Sequence, residues 1–372
     1  MPDGENLEMN GIKILCFVTT VGLSIQSYAL TYTVTQLPTL GGNSSRAANV
    51  NNAGVVVGLS FLPGNSSYRA ASFENGLVSN LGTFGGSNSS AAGINDSGKI
   101  VGNSLNSAGT QRAFIYDGVM HDLGDLGGGI ASAIDINNHG QVVGSSHTLG
   151  NLGIHATLFE SGNVIDLGTF GGDTSVSADI NDNGQIVGYA TLPGASGLQN
   201  ERAFLYDNGV LTNLGHLGGG ISFAEAINNS GIIVGRSTIA GGSTLHAFIY
   251  QGGTMTDIGT LGGVSSRATA INNNGVIVGS SQVVGSSQDH VFIYQNDTMV
   301  DIHSLIQPSS GWELTQANAI NDSGVIVGLG YYNGVFQGFV ATPDSVPEPA
   351  SLIVLGVSAL VANSRRKRVQ EK

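Results

Sequence analysis

The chain holds a single cysteine, Cys16, among 372 residues. That residue sits in an apolar stretch near the N-terminus, so the body has no disulfide framework and no cysteine-built metal site. Charge is also scarce. Asp, Glu, Lys and Arg make up 10% of the residues against 41% apolar, which excludes a disordered polyelectrolyte and permits a core. Bases are the scarcest of all. Residues 30–344 carry 7 Lys/Arg against 21 Asp/Glu, a balance of −14. Such a body repels phosphate backbones, and nucleic acid is excluded as a partner. Amphipathic helical stretches are missing from the body as well. Glycine is abundant, at 57 residues, but it follows no Gly-X-Y period, so collagen is excluded.

The two ends read as addresses. Residues 14–25, ILCFVTTVGLSI, follow Lys13 and precede Ser27-Tyr28-Ala29. This resembles a secretory signal peptide over residues 1–29, cut between Ala29 and Leu30, with Met1 or Met9 as the start. The C-terminus has Pro347-Glu348-Pro349, an apolar run over 350–362, and then Arg365-Arg366-Lys367-Arg368. The run predicts a hydrophobic helix of about 20 Å, short of the roughly 30 Å hydrocarbon core of a bilayer. The basic cluster would stay cytoplasmic. This three-part tail resembles the PEP-CTERM sorting signal of Gram-negative bacteria. The resemblance implies recognition by an exosortase, a membrane transpeptidase, and an association with exopolysaccharide production.

The body is repetitive. An INxxG element recurs at Asn51, Asn95, Asn137, Asn181, Asn228, Asn272 and Asn321, at spacings of 44, 42, 44, 47, 44 and 49 residues. An RAFIY-like element follows each one, and an LGTLGG-like element follows in five clear copies. A period near 44 is the size of a propeller blade. Within 86–125 the pattern predicts a strand of small residues, a turn at Gly98, a strand KIVGNSL, a strand QRAFIYD, a tight turn at Asp117-Gly118, and a strand VMHDLG. The expected fold is therefore all-β: a seven-bladed propeller of four-stranded antiparallel blades over residues 30–342. Residues 343–346 form a linker, and the tail with its short helix occupies 347–372. The segment TYTVTQL (31–37) aligns with a fourth strand, and the seventh repeat ends on its third, so the N-terminal strand would close the ring and leave no long free edge. A linear β-solenoid is the competing architecture; nothing in the sequence resembles end caps.

These three recurring elements resemble the HAF family of extracellular repeats. His246-Ala247-Phe248 matches its triplet in full, Arg112 and Arg202 replace the histidine elsewhere, and His155-Ala156 and His290 with Phe292 match in part. The resemblance implies an exported location.

No catalytic residue, cofactor site or metal site stands out. Calcium needs six or more oxygens, and only Asp96, Asp182 and Asp322 put an acid in the turns. Turn asparagines that satisfy their own backbone explain the pattern better. Two recurring polar positions predict a structural network. One reads Arg69, Arg112, His155, Arg202, His246, His290, Gln337; the other reads Gln36, Asn80, Asp122, Asp166, Asn213, Asp257, Asp301, with Asp122 set opposite Ala113. Enzyme chemistry needs asymmetry between blades, and the clearest departures are Trp312 in an insertion and Tyr331-Tyr332 in the last long loop. Together they form an expected binding rim, or Trp312 plugs the closure seam. The functional expectation is an exported, non-enzymatic cell-surface or matrix protein of a Gram-negative bacterium, binding glycan or protein, held at the membrane by its tail before processing. A polysaccharide-active enzyme is the alternative, and it requires Glu201, Asp289 and Glu313 to cluster on one rim.

Overall fold

The computed structural model describes residues 31–194 and 200–344. The signal segment with its Ala29/Leu30 cut, the tail with Pro347, Glu348, Pro349 and Arg365–Arg368, and the expected C-terminal helix lie outside the described residues. Among those described, no helix is long and apolar enough to cross a membrane.

Alternating apolar and polar residues, cut every few positions by Gly, Asn or Asp, yield short strands and tight turns. Seven four-stranded antiparallel sheets result, arranged as a β-propeller. Blade one spans residues 45–80, blade two 85–122, blade three 127–166, blade four 175–213, blade five 218–257 and blade six 262–301. Blade seven takes its three inner strands from 312–343 and its outermost from Tyr32–Gln36. That closing strand pairs antiparallel with Val335–Pro343, from Tyr32 opposite Pro343 to Gln36 opposite Phe339. The only helical turns among the described residues are two short 3-10 segments, Leu149–Asn151 and Ile302–Ser304.

The core lies between neighbouring blades. The fully buried phenylalanines Phe114, Phe204, Phe248, Phe292 and Phe339 come from the RAFIY-like strands, and each contributes about 2–3 kcal/mol by leaving water. In the second strand of each blade the glycine of the IVG triplet lets two strands cross closely. A Cβ on Gly144 would fall 1.8 Å from the Ser132 carbonyl oxygen.

The two recurring polar positions meet across the third and fourth strands. Arg112 pairs with Asp122 at 2.8 Å, His155 with Asp166 at 2.8 Å, His246 with Asp257 at 2.8 Å and His290 with Asp301 at 2.7 Å. Gln36 donates to Gln337 across the seam. Arg69 and Arg202 instead donate to the backbone of Ser87 and Glu201. One register expectation is corrected: Asp122 sits opposite Phe114, not Ala113. Tyr116 pairs with Met120, so the connection holds three residues where two were expected, and the extra residue shifts the register by one.

Candidate functional site: the axial channel

The inner strands carry a bulge at the same place in every blade. Their register shifts one residue before Asn49, Gly93, Asp135, Asp179, Ala226, Ala270 and Ala319. A bulge re-aims a side chain, and here all of these positions but Gly93 line a channel of about 320 Å³ on the propeller axis. The repeat is otherwise near-uniform, but at this ring the blades differ. Three carry alanine, one glycine, one asparagine, and the neighbouring blades three and four carry acids.

Asp135 and Asp179 stand on neighbouring blades, close enough for the charge of one to act on the other. Asp179 Oδ1 accepts the Ile180 N–H and its Oδ2 the Ile227 N–H, both at 2.7 Å. Asp135 Oδ2 receives only a long 3.4 Å contact from Ile180 N–H. Asn49 reaches across from blade one, its Nδ2 3.4 Å from Asp135 Oδ1. Blade two, which lies between them, has glycine at this level. A Cβ on Gly93 would come within 2.9 Å of Asp135 Oδ1, so the missing side chain leaves room for the carboxyl. Burial, then the charge of Asp179, push the Asp135 carboxyl well above the usual carboxylate range. Two carboxyls this close cannot both ionise cheaply.

The mouth of the channel is built by the INxxG turns. Each ring asparagine uses its Oδ1 for its own turn; Asn228 Oδ1, for example, accepts the Ser230 and Ile232 N–H groups at 3.1 and 3.0 Å. Its Nδ2 then donates to the next blade. Asn51 bonds the Asn95 carbonyl, and so on round to Asn321, which bonds that of Asn51, making seven bonds of 3.0–3.2 Å. The following residues, Asn52, Asp96, Asn138, Asp182, Asn229, Asn273 and Asp322, form a second closed ring. In it each backbone N–H donates to the next residue's Oδ1 at 2.8–3.0 Å. Amides and carboxylates alternate here, and asparagine Nδ2 groups also bridge to the aspartate Oδ2 atoms. Seven is odd, so one amide neighbours another, at Asn229 and Asn273. Burial alone raises Asp182, but the donors from Asn138 and Asn229 outweigh it and hold the carboxyl below its ordinary range.

Three candidate features lie elsewhere. Trp312 does not form a rim: it is 8% exposed and packs on Tyr332 and Phe339, with ring centroids at 5.0 and 6.1 Å, inside the closure seam. Apolar Tyr32 and Ile306 share that cluster and draw the indole inward. Tyr331 is exposed and lies against Phe336. The acids of the rim alternative are spread over blades four, six and seven. Glu201 is buried at the start of a strand in blade four, beside Tyr189, while Asp289 lines a separate groove. His290, Asp301 and His303 bring metal-capable atoms within 4.8 Å of one another. Both His303 nitrogens are already committed, Nδ1 to Asp301 at 2.8 Å and Nε2 to the Leu314 N–H at 2.9 Å, so the cluster is a hydrogen-bonded seam contact. Burial works against it, but the hydrogen bonds from His303 and His290 bring the Asp301 carboxyl down to about 2.

Neither Asp135 nor Asp179 was singled out by the sequence. Their signal was present as the residue two before each INxxG asparagine, where the seven repeats disagree.

No protein-family model and no curated protein matches the chain. Solved structures do. The β-propeller domain of the trilobed protease from Pyrococcus furiosus, described as having an open velcro topology, is 11% identical with a TM-score of 0.54, over 82% of this chain and 100% of that one. Pyrococcus horikoshii acylaminoacyl peptidase is 12% identical with a TM-score of 0.55, over 84% of this chain and 54% of that one. At such identities the likeness shows the fold. It also overturns the expectation of a non-enzymatic surface or matrix protein, because propellers of this shape occur in peptidases. The polysaccharide-active alternative falls with the dispersal of its acids.

Proposed function

We propose that this protein is a hydrolase-type propeller that takes a small polar acyl substrate into its axial channel, with Asp135 as the acid and Asp179 as the base. The observation that carries the reading is the broken symmetry of the axial ring, where two adjacent blades alone place carboxyls, at Asp135 and Asp179, beside one another. Pairs of titratable groups in differing environments are how acid and base roles are divided. Asp179 takes a proton from a water as the water oxygen bonds to the substrate carbonyl carbon. Asp135 gives its proton to the carbonyl oxygen. On collapse the bond to the leaving group breaks and the carbonyl re-forms; Asp179 gives its proton to the leaving group, and the adduct's hydroxyl proton returns to Asp135, which restores both carboxyls. The peptidases of similar fold support the class of chemistry and nothing finer. We place this activity in an exported protein, a reading that rests on residues 14–29 alone.

A panel of p-nitrophenyl esters, lactones and peptide p-nitroanilides tests the proposal. Turnover is expected from the native protein and is lost in both Asp135→Asn and Asp179→Asn, with Asp135→Asn melting no lower than the native protein at neutral pH. The rate should decline on the alkaline side as Asp135 gives up its proton. Silence across the panel with the native protein, or native-like turnover in either variant, overturns it.

A further inference from the structure

Two of the seven cations in this acidic body meet at one groove. Arg267 lies on the inner strand of blade six and Arg236 on the second strand of blade five. Both point to a single acid, Glu225, with Arg267 Nη2 at 3.0 Å from Oε2 and Arg236 Nη1 at 3.4 Å from Oε1. Among the described residues, the bond from Arg267 Nη2 is the only one in which either guanidinium donates to protein with good geometry. Arg236 lies over the Phe223 ring, its guanidinium carbon 4.7 Å from the centroid, which fixes its plane. Opposite Arg267 across the strand pair stands Ser280, a small residue that leaves the guanidinium room. The equivalent inner-strand position in the next blade is Gln316, and the groove of about 480 Å³ is otherwise walled by serines, Gln288, Leu245 and Tyr331.

The charges do not balance. Two cations face one carboxylate, and each arginine's field opposes the other's. Arg236 is depressed by burial first and by the charge of Arg267 as well, with Glu225 working in the opposite direction. Asp289 also lines the groove, where burial pushes it up, but it forms no ion pair with either arginine. A planar fork of donors with one unneutralised positive charge matches a carboxylate in geometry and sign. Tyr331 and Leu245 supply a partly apolar wall for what the carboxylate is attached to.

We propose that this groove between blades six and seven binds the carboxylate of a small organic acid, clamped by Arg236 and Arg267. The groove adjoins the axial channel through Thr269, which lines both, and through Glu225, which lines the channel, but neither arginine lines the channel that holds Asp135 and Asp179.

Isothermal titration with sodium benzoate, and in a second arm with inorganic phosphate, tests it at low ionic strength, where screening is weak. Benzoate should give saturable heat. Arg267→Ala should lower its affinity about tenfold or more, in line with a charge-assisted bond of about 1.5–3 kcal/mol. Arg267 is 39% exposed and its loss leaves Glu225 paired with Arg236, so the fold should tolerate the change. Glu225→Gln removes the competing anion and should tighten benzoate several-fold. Asp135→Asn should leave binding unchanged, which separates this site from the proposed hydrolytic pair. No saturable heat with the native protein, native-like affinity in both Arg267→Ala and Glu225→Gln, or binding of phosphate without benzoate would each overturn the assignment.

Discussion

Replacing Asn228 by aspartate exchanges one NH2 for an oxygen and keeps the shape of the side chain. Asn228 is 4% exposed and does two jobs. Its Oδ1 accepts Ser230 and Ile232 N–H groups within the turn, and its Nδ2 donates to the Asn272 carbonyl in the next blade at 3.2 Å. Alanine removes all three bonds. At about 1 kcal/mol net for each, the loss is about 3 kcal/mol, or a fall of about 4–5 °C in melting temperature for a propeller of about 310 residues. Aspartate keeps the two turn bonds and turns the third into a carboxylate against a carbonyl oxygen. An uncompensated buried charge costs at least as much as an orphaned neutral group, so Asn228→Asp should melt as low as Asn228→Ala at neutral pH. As the pH falls through the carboxyl's titration, its O–H can donate to the Asn272 carbonyl and the deficit should shrink, whereas the alanine deficit stays. Differential scanning calorimetry of both variants from pH 7 to pH 4 measures this. If Asn228→Asp melts within about 1 °C of the native protein at neutral pH, the inter-blade ring carries no stability and the reasoning fails.

Two further outcomes follow from the same structure. Gly144→Ala would set a methyl 1.8 Å from the Ser132 carbonyl and should cost about 3 kcal/mol or more, whereas Gly98→Ala, at φ +82° with open space around it, should cost only about 1 kcal/mol; chemical denaturation midpoints compare them. The folded pKa of Asp135 lies above its unfolded value, so its contribution is fully present below about pH 3.9 and is lost as the pH rises through the folded value. Asp135→Asn should therefore gain melting temperature relative to the native protein as the pH rises from 4 towards neutrality; parallel curves would contradict the shift.

Much of the ring was legible in the sequence because a period near 44 residues carries its own topology. The INxxG turns, the RAFIY-like strands and the displaced fourth strand at 31–37 specify blade count and closure together. The donor and acceptor positions that meet in five blades were legible for the same reason. What could not be read was anything set by a bulge. The segment AIDIN around Asp135 alternates like any half-buried strand, and only the shift beside it turns the carboxyl to the axis. The second job of each turn asparagine was hidden as well, since its partner is a backbone carbonyl one blade away. Trp312 misled in one of its two readings because an insertion looks like a loop. Here it begins a strand whose neighbours Tyr32, Ile306 and Phe339 give the indole a dry place to lie.

The closing strand has a mechanical consequence. Tyr32, at one end of the propeller, lies directly opposite Pro343 at the other, and Asp344 takes hydrogen bonds from both Thr31 and Thr33. Tension applied to the two ends is thus delivered to one rung of the ladder at a time, in peeling, where bonds break in sequence under small loads. Pulled at those two points, the propeller opens first at this clasp.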